Sequence, residues 1–198
     1  MMPEMRIDVA FKGEKESDRD VVQKIFDEYS RNSNDLFENN TGNVISIDTL
    51  ETSNDYDIAF DLSTDGIIRV KYESEGIIFY DKEDRLVLLE QLVRMCSGCR
   101  IIDADIFEIM DIFEKSCIFR YLKCKKDEFD EKIAYLLNTV LQDLDPKKSA
   151  VFLQITDADL FSISQLQIRE DIGDILIQAI STEQGDGQIL IAAFATIN

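Results

Sequence analysis

Short segments that alternate apolar and polar residues predict strands along most of the chain, and segments of helical period separate them. The predicted strands cover residues 6–11, 43–47, 56–62, 67–73, 76–80, 117–122, 149–156, 175–181 and 189–196. The predicted helices cover residues 17–31, 82–97, 103–115, 126–141 and 162–172. Because strands and helices alternate, the pattern predicts a mixed α/β (α+β) fold.

Two of the predicted helices carry a clear apolar stripe. The helix at 82–97 is expected to bury Leu86, Leu89, Val93 and Cys96, and the helix at 126–141 is expected to bury Phe129, Ile133, Leu136, Leu137 and Val140. Turn residues predict two hairpins, one with its turn at 73–76 and one that joins the last two strands through 183–187.

The charge of the chain restricts its partners. The 198 residues include 40 acidic and 21 basic side chains, a formal net charge of -19. Phosphate backbones and anionic lipid surfaces repel such a chain, so we expect neither a nucleic acid nor a membrane as partner. The absence of histidine excludes Ser-His and Cys-His nucleophile pairs and histidine-ligated metals. The first residues do not resemble a signal peptide, so we expect a cytoplasmic protein.

The four cysteines, at positions 96, 99, 117 and 124, leave three interpretations open. The spacing C-x2-C-x17-C-x6-C is too loose at its second pair for the usual zinc ribbons and fingers. Cys96 and Cys99 have the spacing of a redox dithiol, but they follow the carboxyl end of a predicted helix, where the helix dipole disfavours a thiolate. We therefore favour reduced, partly buried cysteines without a chemical role.

Few residues have the pattern of a ligand site. Of the eight glycines only Gly185 and Gly187 are close together, in a predicted turn flanked by acids, so we expect no phosphate-binding loop, no nucleotide and no cofactor. Asp103, Asp105 and Glu108, at the start of a predicted helix, fit either a cation site or ordinary helix capping. Capping is the simpler interpretation.

From residue 103 onward the order of elements becomes specific. Residues 150–156 read A-V-F-L-Q-I-T, similar to a strand of the type G-V-L-x-N-I-T-G, and residues 194–197 read F-A-T-I, similar to a closing V-I-A-T-G. With the intervening spacing, these segments resemble the carboxyl-terminal half of FtsZ, the bacterial tubulin homologue. The resemblance covers residues 83–198 and implies a central helix followed by a two-layer FtsZ/tubulin-like domain. Residues 1–82 would then be a reduced, strand-rich α/β module.

The resemblance also implies a partner-facing segment. Residues 98–105 would correspond to the family's loop that enters the nucleotide pocket of the neighbouring subunit and carries Asn-x-Asp-x-x-Asp. The second Asp falls on Asp105, whereas Arg100 and Ile102 replace the Asn and the first Asp. The family's phosphate loop, G-G-G-T-G-T-G, has no counterpart. We therefore expect no catalytic residue, and we expect a surface for a protein partner at Gly98, Arg100, Asp103, Asp105 and Glu108.

Three functions follow as hypotheses. The first is a non-catalytic FtsZ/tubulin-like protein that acts by protein–protein association, by binding or capping a cytoskeletal filament in cell division. The second is a structural homo-oligomer or scaffold unrelated to division. The third is a divalent-metal enzyme that uses Asp103, Asp105 and Glu108. The topology of residues 43–80 bears on the first: a parallel, doubly wound sheet would indicate an eroded GTPase domain, and an antiparallel meander a different module.

Overall fold

The computed structural model describes residues 7–33, 44–97, 100–102, 105–140, 142, 144, 148–157, 174–180 and 187–197. The chain divides into two units, Met1–Cys99 and Arg100–Asn198. The sequence prediction divided the chain after residue 82 and grouped the following helix with the second half. In the structure that helix packs against the first helix and groups with the first unit.

The strands and helices of the first unit follow the order that the sequence predicts. Its elements are β1 (Asp8–Lys12), α1 (Glu16–Ser33), β2 (Val44–Asp48), β3 (Ile58–Asp61), β4 (Ile67–Lys71), β5 (Glu75–Phe79), a 3-10 turn (Lys82–Asp84) and α2 (Arg85–Ser97).

The second unit has the same mixed character. Its elements are β6 (Arg100–Ile102), α3 (Ile106–Phe113), β7 (Cys117–Cys124), a 3-10 turn (Lys126–Glu128), α4 (Phe129–Val140), β8 (Val151–Thr156), β9 (Ile175–Ile180) and β10 (Ile189–Thr196). The predicted α/β class is therefore confirmed. The short strand β6 was not predicted, and the helix predicted at 162–172 lies outside the described residues.

The sheet of the first unit combines both topologies that the sequence analysis contrasted. The strand order is β2-β1-β3-β4-β5. β1 pairs in parallel with β2 and β3, whereas β3, β4 and β5 form an antiparallel meander. Helix α1 connects β1 to β2, but residues 49–57, which connect β2 to β3, contain no helix. The β4–β5 turn occupies residues 72–74, so the predicted turn residues Glu75 and Gly76 belong to β5.

Helix α2 is buried over more of its surface than one stripe. Leu89, Val93 and Cys96 are buried as predicted, and so are Leu88, Leu92 and Met95. The prediction for Leu86 is wrong, because this side chain is 61% exposed. Leu86 shares the helix face of Leu89 and Val93, but it lies in the first turn, where the end of the helix reaches solvent.

The sheet of the second unit has the order β7-β10-β8-β9-β6. β10 is antiparallel to both β7 and β8, and β9 is parallel to β8. The predicted carboxyl-terminal hairpin is therefore wrong, since β8 lies between β9 and β10. All six residues of β8 are buried, including the polar Gln154 and Thr156, so both faces of this strand are covered, as suits a central position with a partner on each side.

The helices of the second unit cover opposite faces of its sheet. The five apolar residues predicted for the fourth helix are all buried, and they pack with Val151, Leu153 and Ile155 of β8. On the other face Phe113 of α3 contacts Phe152 and Phe194, with ring centroids 6.4 and 5.1 Å apart. Within the described residues, no helix is long and apolar enough to cross a membrane.

Candidate functional site

The predicted partner-facing segment is described only in part. Gly98 and Asp103 lie outside the described residues. Arg100 belongs to β6, where its backbone pairs with that of Ile180 in β9. Asp105 and Glu108 are both described and both exposed. The structure thus brings two of the five predicted residues to the start of α3.

Asp105 is the N-cap of α3. Its Oδ1 atom accepts a hydrogen bond from the Phe107 backbone N–H at 3.0 Å, and its carbonyl accepts one from the Ile109 N–H at 3.0 Å. The carboxylate therefore satisfies one of the free N–H groups of the first helical turn. This confirms the capping interpretation for Asp105.

One side of helix α3 is buried, which fixes the position of its first turn. Ile106, Ile109, Met110 and Phe113 are buried, while Glu108 in the first turn points to solvent. The exposed carboxylates of Asp105 and Glu108 are therefore held on a helix whose inner side packs on β8 and β10. In the described part of the chain, no group of three or more His, Cys, Asp or Glu side chains is arranged to hold a metal ion.

A second cluster, which the sequence analysis missed, lies at the carboxyl ends of the parallel strands in the first unit. Open α/β sheets bind their ligands at this edge. The last residues of β1, β2 and β3 are Lys12, Asp48 and Asp61, and Lys12 is in register with both acids. The Lys12 ammonium donates to the Thr52 carbonyl at 3.0 Å.

The aromatic ring of Tyr56 completes this side of the edge. The Lys12 ammonium lies 5.0 Å from the ring centroid, within the range of a cation–π contact. The Tyr56 hydroxyl donates a hydrogen bond to the Asp48 carboxylate. Residues from the connection between β2 and β3 thus hold the charged end of β1.

Arg85 closes the other side of the edge. Its Nη2 atom lies 2.9 Å from Oδ1 of Asp18 and donates to the Leu62 carbonyl at 3.1 Å. Its Nη1 atom lies 3.2 Å from both Oδ1 of Asp65 and the Tyr80 hydroxyl oxygen. One guanidinium therefore joins the starts of α1 and α2 to the chain segments after β3 and β5.

The start of α1 is closely packed against the end of β1. A Cβ atom on Gly13 would lie 3.2 Å from Cβ of Asp18, so a larger residue would push the helix start away. Arg19 donates to the Gly13 carbonyl at 3.3 Å, and the Asp18 N–H donates to the Lys15 carbonyl at 3.1 Å. The carboxylate of Asp18 consequently stands in the first turn of α1, facing Arg85.

This arrangement is better suited to holding the strand ends and the helix starts together than to binding an anion. A phosphate needs free N–H donors and positive potential at a helix start. Here Asp18, Asp48 and Asp61 bring negative charge to the edge, and Lys12 and Arg85 already hold partners within the chain. The contacts of Lys12 and Arg85 can instead link the strand ends to α1 and α2.

The described cysteines are buried thiols. Cys96, Cys117 and Cys124 are buried and are not in a disulfide, and Cys99 lies outside the described residues. Desolvation raises the pKa of the Cys117 thiol far above its ordinary value. Desolvation also raises the pKa of Cys124, with a further rise from the Glu128 charge that Lys132 partly opposes. Both groups are therefore protonated near neutral pH.

Comparison with known proteins found likenesses in folds only. No family model matches this chain, and no curated protein matches it. A point mutant of FtsZ from M. jannaschii is similar over 58% of this chain and 38% of its own, with 15% identity and a TM-score of 0.46. An empty FtsZ dimer from M. jannaschii is similar over 58% of this chain and 37% of its own, with 14% identity and a TM-score of 0.48. The chain spans less than two fifths of the length of these FtsZ chains.

Proposed function

We propose that this chain acts by protein–protein association, as a non-catalytic FtsZ/tubulin-like protein that binds or caps a cytoskeletal filament in the cytoplasm. The observation that carries the proposal is that the chain's own side chains occupy the edge of the sheet at the carboxyl ends of β1 and β3, which we call the closed edge. Asp18 and Arg85 fill the place where a parallel sheet of this kind would receive a nucleotide.

Electrostatics make the closed edge a poor phosphate site. Two unit charges of the same sign 4 Å apart repel by about 4 kcal/mol at an effective dielectric constant near 20. A phosphate brought to the start of α1 would meet the Asp18 carboxylate and would compete with it for Arg85. The chain also lacks clustered glycines that would present backbone N–H donors. Both features favour a protein that has lost its nucleotide.

The start of α3 is the surface that we propose for the partner. Asp105 and Glu108 are exposed there on a helix with a buried inner side. A segment held on a rigid base loses little conformational entropy when it binds, which favours association. If the resemblance to FtsZ read from the sequence holds, this segment would correspond to the loop that enters the nucleotide pocket of the neighbouring subunit.

Co-sedimentation with FtsZ assembled in GTP tests the proposal. We expect the protein to pellet with the polymer or to lower the polymer mass at an equimolar ratio. If the polymer mass is unchanged and the protein stays in the supernatant, association with such a filament is contradicted.

A pair of matched variants tests the surface. Replacing Asp105 and Glu108 by alanine should weaken co-sedimentation, whereas replacing Asp130 and Glu131, exposed acids in the first turn of α4, should not. Both double variants remove two negative charges, so an equal loss in both would show a general charge effect and would contradict the assigned surface.

A further inference from the structure

Strand β2 forms one edge of the sheet in the first unit. It pairs on its inner side with β1 in parallel register, from Asp8 opposite Val44 to Lys12 opposite Asp48. Among the residues that the structure describes, no strand pairs with its outer side. All five residues of β2 are half-buried, as expected for a strand with one free edge.

The ladder to β1 fixes which backbone groups point outward. The Val44 N–H donates to the Ile7 carbonyl at 2.9 Å, and the Gly13 N–H donates to the Asp48 carbonyl at 3.1 Å. Because residues alternate along a parallel strand, Val44, Ser46 and Asp48 direct their backbone groups toward β1. The N–H and C=O groups of Ile45 and Ile47 therefore point away from the sheet.

The sequence of β2 has few of the features that usually protect an edge strand, since its one charged residue, Asp48, lies at its end. It reads V-I-S-I-D, without lysine, proline or glycine, and three of its five residues are β-branched and apolar. Natural edge strands are commonly blocked by charges, prolines or bulges, because an open edge pairs readily with another chain. The edge of β2 is thus suited to adding a strand.

We propose that β2 pairs antiparallel with β2 of a second copy of this chain, about a twofold axis at Ser46. In this register Ile45 stands opposite Ile47 of the second copy. The outward N–H and C=O groups of these residues then form four backbone hydrogen bonds, as in the hydrogen-bonded pairs of an antiparallel ladder. Ser46 stands opposite Ser46 of the second copy in a non-hydrogen-bonded pair, which lies between the two Ile45–Ile47 pairs.

The proposed register also separates the one charge of the strand from its symmetry mate. Asp48 stands opposite Val44 of the second copy, and the two aspartates are four residues apart along the strands, roughly 13 Å. The four isoleucines share one face, where cross-strand pairs of β-branched residues stabilise a sheet. Parallel pairing, by contrast, cannot be produced by a twofold axis through Ser46.

The expected dimer is weak and depends on salt. A pair of five-residue strands contributes less surface than a standard stable interface. Each copy carries a net charge of -19, so the copies repel one another at low ionic strength. We therefore expect dimerisation to increase with protein concentration and with added NaCl. This inference concerns the first unit and does not depend on the proposed filament partner.

Sedimentation velocity of charge variants tests the pairing. Ser46→Lys and Ser46→Glu each place two like charges opposite one another, so each variant alone should dimerise up to about fivefold more weakly than the natural chain. An equimolar mixture of the two should restore a dimer, because the lysine introduced in one copy would then face the glutamate introduced in the other. A natural chain that stays monomeric at every concentration and NaCl level, variants that dimerise normally, or a mixture that stays monomeric would each overturn the proposal.

Cross-linking provides a second measurement with a smaller substitution. Ser46→Cys should form an intermolecular disulfide under mild oxidation, since Cα atoms in a non-hydrogen-bonded pair are about 4.5 Å apart. Ser53→Cys, at an exposed position in the connection after β2, serves as the control and should not cross-link. Circular dichroism identifies any variant that fails to fold. Equal cross-linking at both positions in folded protein would overturn the assigned register.

Discussion

Removing the guanidinium of Arg85 should destabilise the first unit more than any exposed charge change near it. Arg85→Met keeps most of the apolar stem but removes the ion pair to Asp18 at 2.9 Å and the hydrogen bond to the Leu62 carbonyl at 3.1 Å. It also removes the contacts to Asp65 and the Tyr80 hydroxyl, both at 3.2 Å. The starts of α1 and α2 would then lose their common link.

The magnitude follows from the burial of the pair. The side chains of Arg85 and Asp18 are 20% and 18% exposed, so solvent screens their interaction only in part. A hydrogen bond to a charged group contributes about 1.5–3 kcal/mol, and Asp18 would be left largely buried without its cation. We expect Arg85→Met to lower the free energy of unfolding by about 2–3 kcal/mol. Asp18→Asn, which keeps an acceptor, should lower it by about 1 kcal/mol.

Lys82→Met is the matched control. The Lys82 ammonium lies 3.8 Å from Oδ2 of Asp65, but these side chains are 74% and 66% exposed. An exposed pair of this kind contributes at most about 0.5 kcal/mol. Both variants remove one positive charge from the same region, so the comparison separates the buried network from general electrostatics.

Native-state hydrogen exchange measures the effect within the first unit of the intact chain. Amides of α1 and α2 should exchange faster in Arg85→Met, while those of α4 and β8 should change little. Urea unfolding followed by circular dichroism gives the accompanying loss of stability. A cost below about 0.5 kcal/mol for Arg85→Met, or a cost no greater than that of Lys82→Met, would refute this reasoning.

Three further predictions concern the second unit. Asp105→Ala should cost about 1 kcal/mol in urea unfolding through loss of the N-cap, whereas Glu108→Ala should change stability by less than about 0.5 kcal/mol; equal costs would contradict the capping role. The buried amides of Gln154 and Gln178 share one 2.8 Å hydrogen bond, so changing either alone to leucine should cost about 1–3 kcal/mol, and changing both should cost less than the sum. Because burial raises the pKa of Cys117 above its ordinary 9.0, the unfolded state releases the proton first as pH rises. Stability should therefore fall above about pH 9, and Cys117→Ala should reduce that slope in unfolding experiments.

Local patterns predicted the elements well because each depends on neighbouring residues. The stripe of Phe129, Ile133 and Leu137 repeats at four-residue spacing, and the helix buries all three. Strand order depends on distant residues. The turn residues at 183–187, between two apolar segments, predict a hairpin of β9 and β10. Nothing in these residues indicates that β8 lies between the two strands.

The two candidate sites differ in the same way. The capping role of Asp105 could be predicted because the cap bonds a residue only two positions away. The Arg85 network joins residues as far as 67 positions apart. One local signal was available: a cation in the first residue of α2 is opposed by the helix dipole, which indicates that nearby acids compensate it.

Equilibrium dialysis of the full chain against labelled GTP and Mg²⁺ tests the central claim most directly. If Asp18 and Arg85 close the carboxyl edge of β1 and β3 against a nucleotide, the protein at high micromolar concentration should retain no GTP beyond a matched sample with excess unlabelled GTP. Retention of about one GTP per chain, displaced by unlabelled GTP, would contradict the account.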